Sequence, residues 1–311
     1  MLHTFLLPQT ELRVSAICYG AASFGTAVQG EAMDRLFGML RDAGGNFFDT
    51  AHCYCAWLPD GDGVSERALG ECVRRQGGRE ALVIASKGGH PAMSPYYPRP
   101  ERSLAPEVIT ADIDDSLRRL RMDVIDLYYL HRDDAAVPVG EIVESLNAEV
   151  ARGRIRYLGA SNWRVERIAE ANAYAAAHGL RGFVISQPQF SLAQPAGAMG
   201  DDPCMRHLTT ADMRWHTTTQ LPVAAYTSTA GGFFAGRAGG FDTPDNRARR
   251  ERAEQLASTL NATPTQVALA WLLAQPFPVI PILGATQPDH LREGLTATEV
   301  RLTEVQVRWL R

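Results

Sequence analysis

Short runs of β-branched and aromatic residues recur along the chain, and most are apolar throughout rather than alternating with polar positions. They are SAICY (15–19), NFF (46–48), ALVIAS (81–86), VIDLYYL (124–130), RIRYLGA (154–160), FVIS (183–186), PVAAY (222–226) and PVIPI (278–282). Continuous apolarity is what parallel strands show when both faces are buried. The intervening segments repeat apolar residues every three and four positions, the helical period. Met33, Leu36, Phe37 and Leu40 form one stripe, and Ile109, Ile113, Leu117 and Leu120 another. Ile142, Val143 and Leu146 continue the pattern, as do Ala253, Leu256, Ala257 and Leu260. Pro106 and Pro264 fall where a first helical turn begins, and Thr263 with Gln266 makes a capping box.

Eight strands alternating with helices predict an α/β fold, a (β/α)8 TIM barrel formed by a single domain over residues 1–311. A doubly wound sheet is the rival, and it lacks the G-x-G-x-x-G that its dinucleotide-binding forms place after a strand. TFLL and ELRV, flanking Pro8-Gln9-Thr10, predict an N-terminal β-hairpin closing the barrel's bottom. Two long connections, Gly88–Ala105 and Leu192–Gln220, are rich in Pro, Met and aromatic residues; such loops in a compact domain are functional or mobile.

Composition narrows the class. In 311 residues, 45% hydrophobic and 21% charged, the net charge of −4 exerts no pull toward nucleic acid or anionic membrane. MLHTFLLPQTELRV has no basic n-region and is broken by Pro8, unlike a signal peptide, and no apolar run reaches spanning length. Cys18, Cys53, Cys55, Cys72 and Cys204 are odd in number and irregularly spaced, which fits reduced thiols in a cytoplasmic protein.

In a TIM barrel the C-terminal strand ends face the active site. Here those ends carry Asp49, Lys87, His131, Ser161-Asn162, Gln187, Tyr226 with Thr227-Ser228, and Gly284-Ala285-Thr286. Each is polar or exposes backbone directly after an apolar strand. Tyr54 lies just beyond Asp49. A phenol near its reference pKa of about 10 is a poor acid at neutral pH. A neighbouring ammonium from Lys87 lowers that value, and a buried Lys87 in turn needs the carboxylate of Asp49. His131 beside them orients a carbonyl oxygen by hydrogen bonding. This is a proton relay for reducing a carbonyl, given a hydride donor opposite.

The segments NFFDTAHCY, GVSERALGE, IASKGG, DSLRRLRMDVIDLYYLHR, GRIRYLGASNW and PILGATQPDHLRE, in this order, resemble the aldo-keto reductases over nearly the whole chain. The resemblance implies a (β/α)8 barrel that binds a nicotinamide dinucleotide without a Rossmann motif. It implies that Tyr54 is the general acid, that Lys87 and Asp49 tune it, and that His131 places the carbonyl. By the same matching, Ser161 and Asn162 hold the nicotinamide carboxamide with Gln187 on its other side, and Tyr226 stacks on the nicotinamide ring. Thr227, Ser228 and Gly231 follow the pyrophosphate, while Gly20, Ala21 and Ala22 border the cofactor. Gly284, Ala285, Thr286, His290 and Glu293 belong to the last cofactor segment, Glu293 matching an adenine-contacting acid. There the pattern departs: Gly294 replaces the usual asparagine, and no Arg or Lys occurs from Gly284 through Leu291. NADP(H) is the family habit, and the missing fixed charge leaves NAD(H) open.

Phe24, Cys55, Trp57 and Trp163, with Tyr96 or Tyr97, are expected to wall a substrate pocket over Tyr54 and His131 that suits apolar or aromatic carbonyls or sugars. Trp57 and Trp163 would otherwise seal the barrel top. The chain stops at Arg311 soon after a helix starting near Thr303, an arrangement expected to leave the site open to broad or bulky substrates. His52 either lines the pocket or caps its loop. Cys53 and Cys55 read as packing or pocket-wall thiols, since C-x-C is not the C-x-x-C redox motif. A metal site built on Asp49, His52 and His131 has no H-x-H and would sit beside Lys87. His131-Arg132-Asp133 imitates the kinase H-R-D without its glycine-rich loop or D-F-G. The alternative function is a cofactor-sensing barrel of the kind that regulates potassium channels, although nothing here resembles a docking extension.

Overall fold

Each apolar run becomes a strand in the computed structural model, which describes residues 1–197 and 205–311. The hairpin strands are β1 (Thr4–Leu6) and β2 (Arg13–Ser15). The barrel strands are β3 (Cys18–Gly20), β4 (Phe47–Asp49), β5 (Val83–Gly88), β6 (Ile125–Leu130), β7 (Ile155–Ser161), β8 (Phe183–Gln187), β9 (Val223–Ala225) and β10 (Val279–Leu283). These eight pair in parallel, in sequence order, and β10 closes on β3. The fold is thus a (β/α)8 barrel with a small antiparallel hairpin in front of it.

Helices between the strands bury the predicted stripes. Met33, Leu36, Phe37 and Leu40 are the buried face of Gly30–Asp42, and Pro106 and Pro264 each open a helix. Thr263 accepts from Gln266 N as the capping box requires. Phe48, Ile84, Tyr128 and Leu158 point outward into the layer beneath these helices.

The alternate strand residues point inward. Phe47, Val83, Ala85, Leu127, Tyr129, Tyr157 and Ile185 fill the barrel interior, and Leu7, Leu12 and Val14 of the hairpin join them from below. The Tyr157 hydroxyl accepts from Glu11 N at 3.0 Å, which ties the hairpin to the barrel floor. Gly159 makes room in this stack, because a Cβ there would lie 2.3 Å from the Tyr129 ring.

The long connection Leu192–Gln220 is not structureless: Thr210–Thr219 is a helix with its own capping box. TADMRWHTTT hides it, because only Met213 and His216 are buried. The hydroxyls of Thr217, Thr218 and Thr219 donate back to the carbonyls of Met213, Arg214 and Trp215, an arrangement common for threonine inside a helix. Cys204 lies outside the described residues. Among the described residues, no helix is long and apolar enough to cross a membrane.

Candidate active site

Side chains alternate along a strand, so a residue two positions past an inward core residue also faces inward. Asp49 follows Phe47, Lys87 follows Ala85, His131 follows Tyr129, Ser161 follows Gly159 and Gln187 follows Ile185. The polar residues at the strand ends therefore form the ceiling of the packed barrel. Pairing sets neighbours side by side: Lys87 lies opposite Tyr129, and Ser161 opposite Gln187.

Lys87 is fully buried. Its Nζ donates to Asp49 Oδ1 at 2.5 Å, to the Thr50 carbonyl at 2.7 Å and to the Tyr54 hydroxyl oxygen at 2.9 Å. An ammonium has three donors, and all three are used. Asp49 Oδ2 accepts from Gln187 Nε2 at 3.0 Å, so the carboxylate is held from both sides. Because the Tyr54 oxygen accepts from Lys87, its own O–H proton is left to point elsewhere. Tyr54 and His131 meet edge to face, ring centroids 5.7 Å apart.

Burial sets the charge states. It pushes the Tyr54 phenol above its ordinary value, and Asp49 adds to the rise while Lys87 pulls the other way. Lys87 does pull this pKa down as expected, yet the net shift is upward, because desolvation of a phenolate outweighs the nearby ammonium. Burial alone would push Lys87 down, but Asp49 and Tyr54 hold it above its ordinary value. His131 is pushed well below its ordinary value by burial first, then by Arg132, His90, Lys87 and His52. At neutral pH the site therefore presents a protonated phenol, an ammonium and a neutral imidazole.

A cavity of about 710 Å³ opens above these groups. Its wall includes Asp49, Tyr54, His131, Ser161, Asn162 and Gln187, then Tyr226, Thr227, Ser228 and Gly231, and ends at Gly284, Ala285, Thr286, His290 and Glu293, with Gly20 and Ala22 alongside. Asn162 adopts φ 62, which turns its side chain to accept from Tyr226 Oη at 2.7 Å and Arg206 N at 3.0 Å. Ser228 Oγ donates to the Ile282 carbonyl, and Thr263 Oγ1 donates to Glu293 at 2.5 Å.

Several expected residues are not on this wall. Ala21 is buried with its N–H on the Asp49 carbonyl. Phe24 packs on Tyr19 in the core. Cys55, at φ 72, turns its thiol onto the Ala22 carbonyl, and Trp57 beyond it is 46% exposed. Trp163 is buried edge to face on Phe183, in the core layer outside the barrel. His52 and Tyr97 hydrogen-bond each other at 2.7 Å, pinning the Gly88–Ala105 connection away from the wall. Conversely, Met205, Gly232 and Arg237 line the cavity without any expectation from the sequence, and so does Arg132, weighed there only as part of H-R-D. Arg237 had a faint signal, a lone base in the glycine-rich AGGFFAGRAGG. Gly232, at φ 87, makes its approach possible, since a Cβ there would lie 2.7 Å from Arg237 Cδ.

Residues 16–311 match the aldo/keto reductase family. An oxidoreductase of Bacillus subtilis (strain 168), named YrpG and described as uncharacterized, is 32% identical over 98% of this chain and 93% of its own. An NADP(+) aryl-alcohol dehydrogenase of Phanerodontia chrysosporium is 28% identical over 99% of this chain and 84% of its own. The crystal structure of the thermostable aldo-keto reductase Tm1743 shares the fold, with a TM-score of 0.74 at 24% identity over 99% of this chain and 98% of that one. The chain belongs to the aldo/keto reductase family and is a nicotinamide-dependent oxidoreductase.

Proposed function

We propose that the protein reduces an aldehyde or ketone, sugars included, to its alcohol with NADPH, and that Tyr54 supplies the proton. The observation that carries this reading is the complete use of the Lys87 ammonium, whose third donor rests on the Tyr54 oxygen at 2.9 Å.

The cavity wall suits a nicotinamide dinucleotide. At its inner end, Ser161, Asn162 and Gln187 offer hydroxyl and amide groups for a carboxamide, and Tyr226 offers a flat ring face. Along its length, Thr227, Ser228 and Gly231 would follow a pyrophosphate, with Arg237 the added charge for a phosphate. Glu293, His290 and Gly284–Thr286 would border the adenosine end. The NADP(+) in the name of the fungal relative favours NADP(H) over NAD(H). The reduced nicotinamide, when bound, supplies the hydride.

The chain's own groups manage the proton. Tyr54 gives its proton to the carbonyl oxygen as negative charge gathers there, and Lys87 stabilises the phenolate left behind. Asp49 keeps Lys87 charged and in place. The neutral ring of His131 donates a hydrogen bond that positions the carbonyl oxygen.

Tyr54→Phe should lower kcat for aldehyde reduction by about a hundredfold or more while NADPH binding, followed by fluorescence titration, stays unchanged. A variant that still turns over would show the acid to be another group. Wild-type protein holding NADPH that no aldehyde or ketone in a broad panel oxidises would favour the cofactor-sensing alternative.

The reduction rate should be flat from about pH 6 to pH 8, since burial keeps Tyr54 protonated and His131 neutral across that range. Activity should fall only on the alkaline side, as Tyr54 loses its proton above its ordinary value of 10.0. A limb near the ordinary histidine value of 6.5 in the kcat profile would contradict these charge states.

In steady-state assays kcat/KM should be higher with NADPH than with NADH. Arg237→Ala should weaken NADPH binding by roughly tenfold or more, the scale of a lost charged hydrogen bond. Equal use of both cofactors would overturn the NADP(H) preference, and an unchanged Kd in the variant would remove Arg237 from the phosphate site.

A further inference from the structure

We propose that the Cys53 thiol donates to Nδ1 of His131 and thereby holds the imidazole with its proton on Nε2, the nitrogen left for the cavity. The proposal rests on the reading of His131 as the group that hydrogen-bonds the carbonyl oxygen. It makes Cys53 a positioning residue for the reduction.

Cys53 Sγ lies 3.3 Å from His131 Nδ1, and both side chains are buried. The direction of this bond follows from the two groups. An imidazole nitrogen is a good acceptor and a thiol sulfur a weak one, so S–H to N is favoured over N–H to S. Burial pushes the Cys53 thiol up to about 12, so it keeps the proton that it donates. His131 is neutral, so its ring carries one N–H. With Nδ1 accepting, that N–H is Nε2. The opposite tautomer would aim a nitrogen lone pair at the carbonyl oxygen, where only repulsion is available.

One turn places both contacts. His52 N donates to the Lys87 carbonyl at 2.8 Å, Tyr54 N to the Ala51 carbonyl at 3.1 Å and Ala56 N to the Cys53 carbonyl at 3.1 Å. The adjacent residues Cys53 and Tyr54 thus reach His131 and Lys87 respectively from the same rigid segment. His90 packs edge on against His131 at 4.9 Å, and its own Nδ1 is occupied by the Pro91 carbonyl.

Cys53, His90 and His131 also bring their ligand atoms within 4.8 Å of one another, the one such grouping among the described residues that is rich in nitrogen and sulfur. A cation there would meet Arg132 and Lys87, whose charges already act on both Cys53 and His131. The neutral hydrogen bond is the arrangement those charges permit.

Nitrogen-15 NMR of histidine-labelled protein saturated with NADP+ tests the proposal without turnover, the His131 signals being assigned by their loss in His131→Asn. The expected spectrum has an unprotonated Nδ1 and a protonated Nε2. Cys53→Val should mix the tautomers and lower kcat by roughly ten- to a hundredfold, the scale seen when a metal-ligating histidine loses the partner that fixes its tautomer, with the Kd for NADPH unchanged. Cys53→Ser, which restores a donor, should recover both tautomer and rate. A protonated Nδ1 in the wild type would overturn the proposal, as would a valine variant that keeps both tautomer and kcat. So would stoichiometric Zn2+ retained by the wild type and lost in Cys53→Ser. If Cys53→Val does not fold, the wild-type spectrum decides alone. Because that spectrum is read without catalysis, a failed tautomer assignment is distinct from a failed reductase reading.

Discussion

A lysine ammonium buried at the top of a packed β-barrel is the constraint from which the rest of the site follows. Taking such a charge out of water costs several kcal/mol unless every proton finds an acceptor. Lys87 meets that demand with a carboxylate, a backbone carbonyl and a phenol oxygen. Each acceptor is thereby fixed in turn. Asp49 is clamped between Lys87 and Gln187, and the segment carrying Thr50 and Tyr54 is drawn over the barrel mouth. The phenol is held with one side on the ammonium, which leaves its proton for the cavity.

The barrel supplies this geometry through parity. Inward core residues and inward polar residues are separated by two positions on β4, β5, β7 and β8, and His131 keeps the same step just beyond β6. The alternation that packs Phe47, Ala85 and Tyr129 therefore also aims Asp49, Lys87 and His131. This is why the strand ends were legible in the sequence: an apolar run that ends on a polar residue announces both the strand and its face. Helix stripes and the Thr263 capping box were legible for the same reason, since their periods are set by local backbone geometry.

What was not legible depends on departures from those periods. Asn162 takes a left-handed backbone, so it stays on the cavity while Trp163 turns into the core. Cys55, on the loop after β4, also takes a left-handed backbone, but it leaves the cavity and Trp57 beyond it points toward solvent. The helix Thr210–Thr219 lacks an apolar stripe, and Met205 and Arg237 reach the cavity from connections whose paths no periodicity encodes. The sign of the Tyr54 shift was also hidden, because it compares burial against one nearby charge, and burial is a property of the folded whole. Cys53 had the least promising position, directly before Tyr54, yet its thiol ends on His131.

Lys87→Met tests the central claim most directly, because it removes the ammonium while keeping a long apolar side chain in its place. NADPH binding, measured by fluorescence titration, should persist, and single-turnover oxidation of that NADPH by an aldehyde should slow by about a hundredfold or more. A variant that binds NADPH and reduces the aldehyde at the wild-type rate would show that the proton does not depend on the Lys87–Tyr54 contact.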